Sequence, residues 1–123
     1  MERFEPRTIT RFIQIDKDKI PYKFELENFI FTIKYNKFAD RFYMLLENKK
    51  GEVLGIGEEK LVLDFPLFWI YAEDFSGNRN INFPPFNLVP RSIDGKEYAV
   101  NWDNLGEKIL LSYEEVSTNA TVW

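Results

Sequence analysis

The 123-residue sequence contains no cysteine and no histidine. The chain can therefore form neither a disulfide nor a zinc site built from Cys and His, and it lacks a thiol nucleophile and a Ser-His-Asp triad. Any reaction that it catalysed would have to use carboxylates, lysine or tyrosine. These two absences exclude most of the common kinds of active site.

Long apolar runs are also missing. The most apolar window, residues 65–72, has eight residues and contains Pro66, whereas a helix needs about 20 residues to cross a bilayer. The first residues lack the apolar stretch of a secretory signal peptide. We therefore predict a protein without a membrane span that is made and kept in the cytoplasm.

Basic residues are in the minority, with 16 Lys and Arg against 20 Asp and Glu and a net charge of −4. A nucleic-acid groove needs clustered Lys and Arg to meet the phosphates. The composition therefore argues against nucleic acid as a partner and favours another protein.

Aromatic residues, in contrast, are abundant: 12 Phe, 6 Tyr and 3 Trp make up 17% of the chain. A chain of this length forms one domain and buries roughly two-thirds of its unfolded surface, so burial of every ring is not expected. We predict a single β domain with an N-terminal arm over residues 1–7, a core over residues 8–116 and a C-terminal tail over residues 117–123. Rings outside the core are candidates for contacts with a partner.

Alternation of apolar and polar residues dominates the chain and predicts a mainly β fold. Residues 41–47 are apolar on both faces, which is typical of a strand covered on both sides and predicts a place at the centre of a sheet. Asp94-Gly95 predicts a hairpin between residues 88–93 and 96–100, and a proline in the first arm favours an edge position. Antiparallel strands at this spacing indicate a small barrel or a two-sheet sandwich, with one long irregular loop rich in aromatics, Asn and Pro. The predicted strands cover residues 8–15, 22–26, 29–36, 41–47, 53–54, 61–63, 88–93, 96–100 and 108–116.

The surplus of rings concentrates between residues 65 and 86, where seven of them run into a loop with Asn, Gly and Pro. Core strands followed by a loop that its rings hold in place would explain this segment structurally. Aromatic residues are also enriched at the buried hot spots of protein interfaces, and they stack against sugars. The C-terminal Trp is a further candidate for a contact. We predict an interface formed by Phe68, Trp69, Tyr71, Phe83, Phe86 and Trp123.

Three pairs of adjacent carboxylates are compatible with a hydrolase, because glycoside hydrolysis needs two carboxyl groups that face each other. Adjacent residues of a strand point to opposite faces, so no pair can supply both groups from one strand. The spacing of Asp16, Asp18 and Glu27 matches three positions of a calcium loop, but Pro21 stands where that loop needs glycine. We therefore predict no enzymatic activity, no metal ion and no cofactor. The pairs are Glu58-Glu59, Glu73-Asp74 and Glu114-Glu115.

A tight turn is predicted near the end of the chain. The side chain of Asp103 or Asn104 can bond to nearby backbone, and Gly106 can take a positive φ angle that other residues disfavour. We interpret these three residues as a structural turn that leads into the last strand.

Four short segments follow one another in an order that resembles a known family. They are Phe-Ile-Gln-Ile-Asp at residues 12–16, a hairpin ending in Tyr-Asn at 24–36, a strand and Gly-containing turn beginning Arg-Phe-Tyr at 41–54, and Trp-Asp-Asn-Leu-Gly-Glu-Lys-Ile-Leu-Leu-Ser-Tyr at 102–113. In order and spacing they resemble the baseplate plug family of contractile-tailed bacteriophages and related phage-tail-like bacteriocins. The resemblance covers residues 12–116. The sequence departs from the family pattern between residues 71 and 90, where this chain is longer and more aromatic.

The resemblance implies a non-enzymatic structural component of a contractile phage tail or tail-like bacteriocin baseplate. It further implies a plug or connector near the centre of the baseplate, packed against hub and tail tube proteins, with several copies in a symmetric assembly. Such a protein would be assembled in the host cytoplasm and would remain in the tail particle.

An alternative function is a carbohydrate-binding β module that contacts polysaccharide of the host surface. The same aromatic side chains would stack on sugar rings, and Asn78, Asn80 and Asn82 would bond to hydroxyl groups. Quenching of tryptophan fluorescence by polysaccharide would favour this function. Co-purification with a hub protein would favour the baseplate role.

Overall fold

The computed structural model describes residues 9–74 and 76–116, so the predicted arm over 1–7 and tail over 117–123 lie outside the described residues. The fold is mainly β, and two antiparallel sheets pack against each other as a sandwich. Of the two predicted architectures the chain adopts the sandwich, since the described strands form two separate sheets rather than a closed barrel. Along the chain the elements are β1 (Ile9–Ile13), a short 3-10 helix (Lys17–Lys19), β2 (Tyr22–Leu26), β3 (Phe29–Asn36), β4 (Arg41–Asn48), β5 (Glu59–Lys60), α1 (Trp69–Ala72), β6 (Phe86–Ser92) and β7 (Ile109–Glu115).

The larger sheet has the strand order β2-β3-β4-β5. Strands β2 and β3 begin and end where the alternation of the sequence predicts. Glu27 and Asn28 connect them with positive φ angles of 47° and 72°, which suit the twist of a two-residue hairpin. Lys23 and Glu25 on one face of β2 are exposed, while the apolar residues of the other face are partly buried.

Strand β4 is an inner strand of this sheet, as predicted, but it is not covered on both faces. Phe42, Met44 and Leu46 are fully buried, whereas Tyr43 and Leu45 on the opposite face are only partly buried. In a two-layer sandwich one face of each sheet contacts the other layer. The second apolar row of β4 therefore lies on the outer surface, and the prediction of full burial on both sides is wrong.

The strand predicted after β4 is reduced to an isolated bridge at Val53. Gly55 and Gly57 then take positive φ angles of 76° and 121°, and regular pairing with β4 resumes at β5. Leu61 donates one more backbone hydrogen bond to β4, at 2.9 Å, before the chain leaves for the other sheet. The predicted strand over residues 61–63 is therefore wrong.

The smaller sheet has the strand order β1-β7-β6. Strand β6 lies at an edge, as its proline predicts, but it pairs with β7 rather than with residues 96–100. The predicted hairpin is wrong because the Asp94 carboxylate closes a compact turn instead. It accepts hydrogen bonds from the hydroxyl groups of Ser92 and Tyr98, at 2.7 and 2.6 Å.

The core lies between the two sheets. Phe31 of β3 contacts Phe86 of β6 with ring centroids 6.0 Å apart, and Phe86 stacks on Tyr113 of β7 at 4.5 Å. Residues 64–67 cover the outer edge of β6, since two of their backbone N–H groups donate hydrogen bonds to it at 2.8 and 2.9 Å. An edge that is covered in this way is protected from pairing with another chain.

A buried ion pair joins β6 and β7. Arg91 donates two hydrogen bonds to Glu114, at 2.8 and 2.9 Å, and one to Asp64 at 3.0 Å. Burial by itself lowers the pKa of Arg91, but the hydrogen bonds to the two carboxylates outweigh it and hold this pKa above its ordinary value. The guanidinium thereby ties the covering segment 64–67 to both strands.

Candidate functional site

The aromatic-rich segment over residues 65–86 contains one turn of helix, α1, in place of the core strand that would explain its rings structurally. Phe68 precedes α1 with a left-handed backbone (φ 61°), and its N–H donates a 2.7 Å hydrogen bond to Glu59. Phe68 and Ala72, four residues apart on one helical face, are both buried, so Ile70 between them points outward. A run that is apolar throughout does not distinguish a short strand from a helix.

Replacement of Glu59 by glutamine is expected to raise the melting temperature at pH 7 and to leave it unchanged below about pH 4. Burial raises the pKa of the Glu59 carboxyl, although the Phe68 N–H opposes this. The folded state therefore binds the proton more tightly than the unfolded state, and this group removes stability as the pH rises from its unfolded pKa through its folded pKa. Glutamine keeps an acceptor for the Phe68 N–H without the charge.

Thermal unfolding of the Glu59→Gln variant and of the unmodified protein from below pH 4 to pH 8 tests this prediction. The exposed neighbour Glu58, which bridges to Lys34, provides the control, since Glu58→Gln should not raise the melting temperature. Parallel curves for the Glu59→Gln variant and the unmodified protein over the whole range would contradict the prediction.

Arg79 fastens the second half of the segment. Its guanidinium donates hydrogen bonds to the carbonyl of Pro84 at 3.0 and 2.7 Å and to the carbonyl of Phe86 at 2.9 Å, and it contacts Glu73 at 3.5 Å. Burial lowers the pKa of Arg79, although Glu73 opposes this effect. Arg79 thus links the end of α1 to the beginning of β6. Sequence analysis does not identify it, because a single arginine in an Asn-rich loop carries no sign of burial.

Asp74 organises the turn that follows α1. Its Oδ1 accepts hydrogen bonds from the N–H groups of Ser76 and Asn78 at 2.9 and 2.8 Å, and its Oδ2 accepts one from the Asn78 amide at 3.0 Å. These bonds lower the pKa of Asp74, and the bond from the side-chain amide of Asn78 has the largest effect. The Asn80 side chain accepts a bond from the Asn82 N–H at 2.9 Å. Two of the three amides predicted to bind sugar, Asn78 and Asn80, are therefore engaged within the loop.

Three of the predicted interface rings belong to the core. Phe68, Phe83 and Phe86 have 2%, 9% and 2% of their surfaces exposed. In the single chain they offer almost no area to a partner. One of them supports a partly exposed neighbour, since the Phe83 ring stacks on that of Tyr71.

Of the other three predicted interface residues, two belong to the described part of the chain. Trp69 and Tyr71 are partly exposed beside the core rings. Trp123 lies outside the described residues. A direct contact of these three side chains with a partner stays a prediction.

Tyr71 lies where three segments of the chain meet. A Cβ on Gly55 would approach its ring to 3.3 Å, and Phe83 stacks on it with centroids 6.4 Å apart. The segment around Gly55, the segment around Phe83 and α1 each carry one isoleucine that is exposed to solvent. We call Tyr71 and these isoleucines the apolar surface. The isoleucines are Ile56, Ile70 and Ile81, which are 88%, 72% and 92% exposed.

The turn near the end of the chain is built around Asn104. Its side chain accepts a hydrogen bond from the Asn101 N–H at 2.9 Å and donates one to the Ala99 carbonyl at 2.6 Å. Gly106 follows with a φ angle of 91°, and Asp103 is exposed. Of the two side chains considered for the backbone bond, that of Asn104 forms it.

The paired carboxylates diverge from each other. Glu59 turns inward, whereas Glu58 forms an exposed salt bridge with Lys34 at 2.6 Å. Glu114 is buried and Glu115 is exposed. In the part of the chain that the structure describes, no three carboxylates cluster closely enough to hold a metal ion, and no helix is long and apolar enough to cross a membrane.

A family model matches most of the chain. Its description is "Cyanophage baseplate Pam3 plug gp18", and the match covers residues 10–116. This range includes the aromatic-rich segment, the Asn104 turn and nearly all of both sheets, and it confirms the resemblance to a family of phage baseplate plugs. No curated protein and no solved structure matches the chain.

Proposed function

The chain belongs to the cyanophage baseplate plug family, a family of structural phage-tail components, and we propose that it serves as a plug in the baseplate of a contractile tail. In this role it packs as a connector against hub and tail tube proteins, in several copies, and catalyses no reaction. It is assembled in the host cytoplasm and stays in the tail particle.

The observation that carries this proposal is the apolar surface. Three isoleucines that are each at least 72% exposed lie next to or two residues from groups that contact or adjoin the partly buried Tyr71, namely Gly55, α1 and Phe83. Apolar patches of this kind on a soluble protein mark interaction sites, and burial of each aliphatic side chain would contribute about 1.5–3 kcal/mol. A neighbouring baseplate subunit that covers the surface would gain this energy.

The backbone beneath the apolar surface is held by polar contacts. Glu59 fixes the start of α1, Asp74 closes the turn after it, and Arg79 fixes the loop that carries Ile81. A surface that is ordered before binding loses little conformational entropy when a partner covers it. Carboxylates at the border, such as Glu58 and Asp74, would orient the partner rather than supply the main affinity.

Replacement of Ile70 or Ile81 by aspartate is expected to lower incorporation into tail particles at least about tenfold, since a charge would have to be buried in an apolar contact. The variants are supplied from a plasmid to cells infected with a phage that lacks the gene. Their amount in purified tails is measured by quantitative mass spectrometry. Because both positions are exposed, the melting temperatures should change by no more than about 2 °C.

Ile93 offers a matched control, because it is also exposed, at 59%, but lies in the turn after β6. The Ile93→Asp variant should enter tails at the normal level. Normal incorporation of both Ile70→Asp and Ile81→Asp would reject the interface. Cross-links from Lys60, an exposed residue of β5, to sheath proteins alone would reject the hub and tube as partners.

A further inference from the structure

Phe38 is the most exposed large apolar side chain in the described part of the molecule, with 94% of its surface accessible. It lies in the turn between β3 and β4 and does not belong to the apolar surface. The exposure of a ring on a loosely held loop is weak evidence for a binding site, because such a loop can turn the ring toward the protein when no partner is present. The bonds that hold this turn therefore decide how the exposure is interpreted.

The turn is held from within by Asn36. Its Oδ1 accepts hydrogen bonds from the N–H groups of Phe38 and Ala39, at 3.0 and 3.2 Å. Asp40 then takes a left-handed backbone with a φ angle of 53°, which reverses the chain into β4. These contacts fix the direction in which the Phe38 side chain leaves the backbone.

Asp40 also ties the turn to the core. Its Oδ1 accepts hydrogen bonds from the Tyr35 hydroxyl at 2.7 Å and from the Trp102 N–H at 3.1 Å. The rings of Tyr35 and Trp102 lie 4.8 Å apart, and both contact the fully buried Phe42. The backbone on both sides of Phe38 is therefore held, by Asn36 on one side and by Asp40 on the other, with the ring directed into solvent.

The turn that carries Phe38 has more positive than negative charge. Glu58 is paired with Lys34, and the carboxylate of Asp40 is used by Tyr35 and Trp102. Among the described residues Lys37 forms no salt bridge, and its Nζ lies 5.9 Å from the centre of the Phe38 ring. Within the turn, residues 37–41, Lys37 and Arg41 stand against the single carboxylate of Asp40, which gives the turn a charge of +1, whereas the chain has −4.

We infer, on the basis of the baseplate role proposed above, that Phe38 is an anchor that inserts into an apolar pocket with an acidic rim on another protein of the baseplate. A single aromatic side chain that fills a pocket often carries a large share of the binding energy, and a turn that is ordered beforehand loses little entropy on insertion. Lys37 would then move from the ring to the rim of the pocket and meet a carboxylate there. This contact is distinct from that of the apolar surface.

Replacement of Phe38 by alanine is expected to lower incorporation into tails about 10- to 100-fold when the protein is supplied at limiting amounts. Phe38→Leu should lose less, because leucine still fills an apolar pocket in part. Lys37→Glu should lower incorporation several-fold, and raised salt during assembly in vitro should reduce the difference. The controls are Ile93→Ala, which removes another exposed apolar side chain, and Lys96→Glu, which reverses an exposed charge elsewhere. Unchanged melting temperatures show that each variant is folded.

A photoreactive benzoylphenylalanine at position 38 identifies what the ring contacts in purified tails. A cross-link to an apolar segment bordered by Asp or Glu on a different tail protein is the expected result. Normal incorporation of the Phe38→Ala variant would overturn the inference, as would a cross-link to a second copy of this chain. Binding to phosphatidylglycerol vesicles that depends on Phe38, together with normal incorporation, would assign the ring to a membrane surface and would equally overturn it.

Discussion

Replacement of Arg91 by alanine is expected to lower the free energy of unfolding by about 3–5 kcal/mol, the usual cost of breaking a buried ion pair. The side chains of Arg91 and Glu114 are only 13% and 7% exposed, and their two hydrogen bonds are 2.8 and 2.9 Å long. Without the guanidinium, the Glu114 carboxylate stays buried with no cation to compensate it. Since a domain of this size is stable by about 5–15 kcal/mol, the melting temperature should fall by about 10 °C or more.

Most of this cost comes from leaving the buried Glu114 carboxylate without a cation, and not from losing its attraction to Arg91 as such. A double variant, Arg91→Met with Glu114→Leu, should therefore recover most of the lost stability, because an apolar pair of similar size avoids the burial of charge. Lys34→Ala removes an exposed salt bridge of 2.6 Å and should cost less than about 1 kcal/mol. Urea denaturation followed by tryptophan fluorescence measures all three. A loss below about 1 kcal/mol for the Arg91→Ala variant would contradict the argument.

The strands that the sequence predicts best are those whose two faces differ most. Lys23 and Glu25 alternate with apolar residues, and the turn at Glu27 and Asn28 is as short as a hairpin allows. Here the pattern of burial, the turn and the pairing partner are all local in sequence, so β2 and β3 could be predicted to the residue. The choice between barrel and sandwich depended on contacts between distant strands and stayed open.

Predictions failed where a distant or side-chain interaction decided the structure. The partner of β6 is β7, which begins 17 residues after β6 ends, and no local pattern reveals that pairing. The hairpin expected at Asp94 is replaced by bonds from the Ser92 and Tyr98 hydroxyl groups. At β4 a second apolar row carrying Tyr43 and Leu45 looked buried from sequence, because pattern alone does not show that one sheet face has no layer above it.

The candidate site was located by its surplus of rings, but its composition changed in the structure. The aromatic content of the sequence identifies the segment, but only the structure shows which of its side chains are buried. Phe68, Phe83 and Phe86 belong to the core. The exposed isoleucines of the apolar surface carry no sequence signal of their own. Ile70, for example, points outward only because a single turn of helix places its neighbours Phe68 and Ala72 on the buried side. An aromatic-rich segment can thus expose aliphatic rather than aromatic side chains to solvent.

Replacement of Arg79 by alanine is expected to cost about 3–4 kcal/mol of stability and also to abolish incorporation into tails. The guanidinium satisfies the carbonyl groups of Pro84 and Phe86 and contacts Glu73, and each buried polar group left unpaired costs about 1–3 kcal/mol. Arg79 also holds the loop with Ile81 against α1 with Ile70. Its loss should therefore separate the two halves of the apolar surface, and function should decline more than stability alone explains.

Arg79→Lys separates the local from the global effect, because lysine keeps the charge but cannot donate to several acceptors in a fork. Hydrogen exchange should accelerate in the loop, where the Asn80 N–H donates to the Ala72 carbonyl at 2.8 Å, while β3 stays protected. The exposed Lys49, paired with Glu25 at 3.3 Å, is the control, and Lys49→Ala should change neither region. Equal loss of protection in the loop and in β3 would mean that Arg79 supports the whole fold rather than the apolar surface. Lower incorporation would then follow from instability alone, so the comparison of the two regions decides whether this buried arginine shapes the interface.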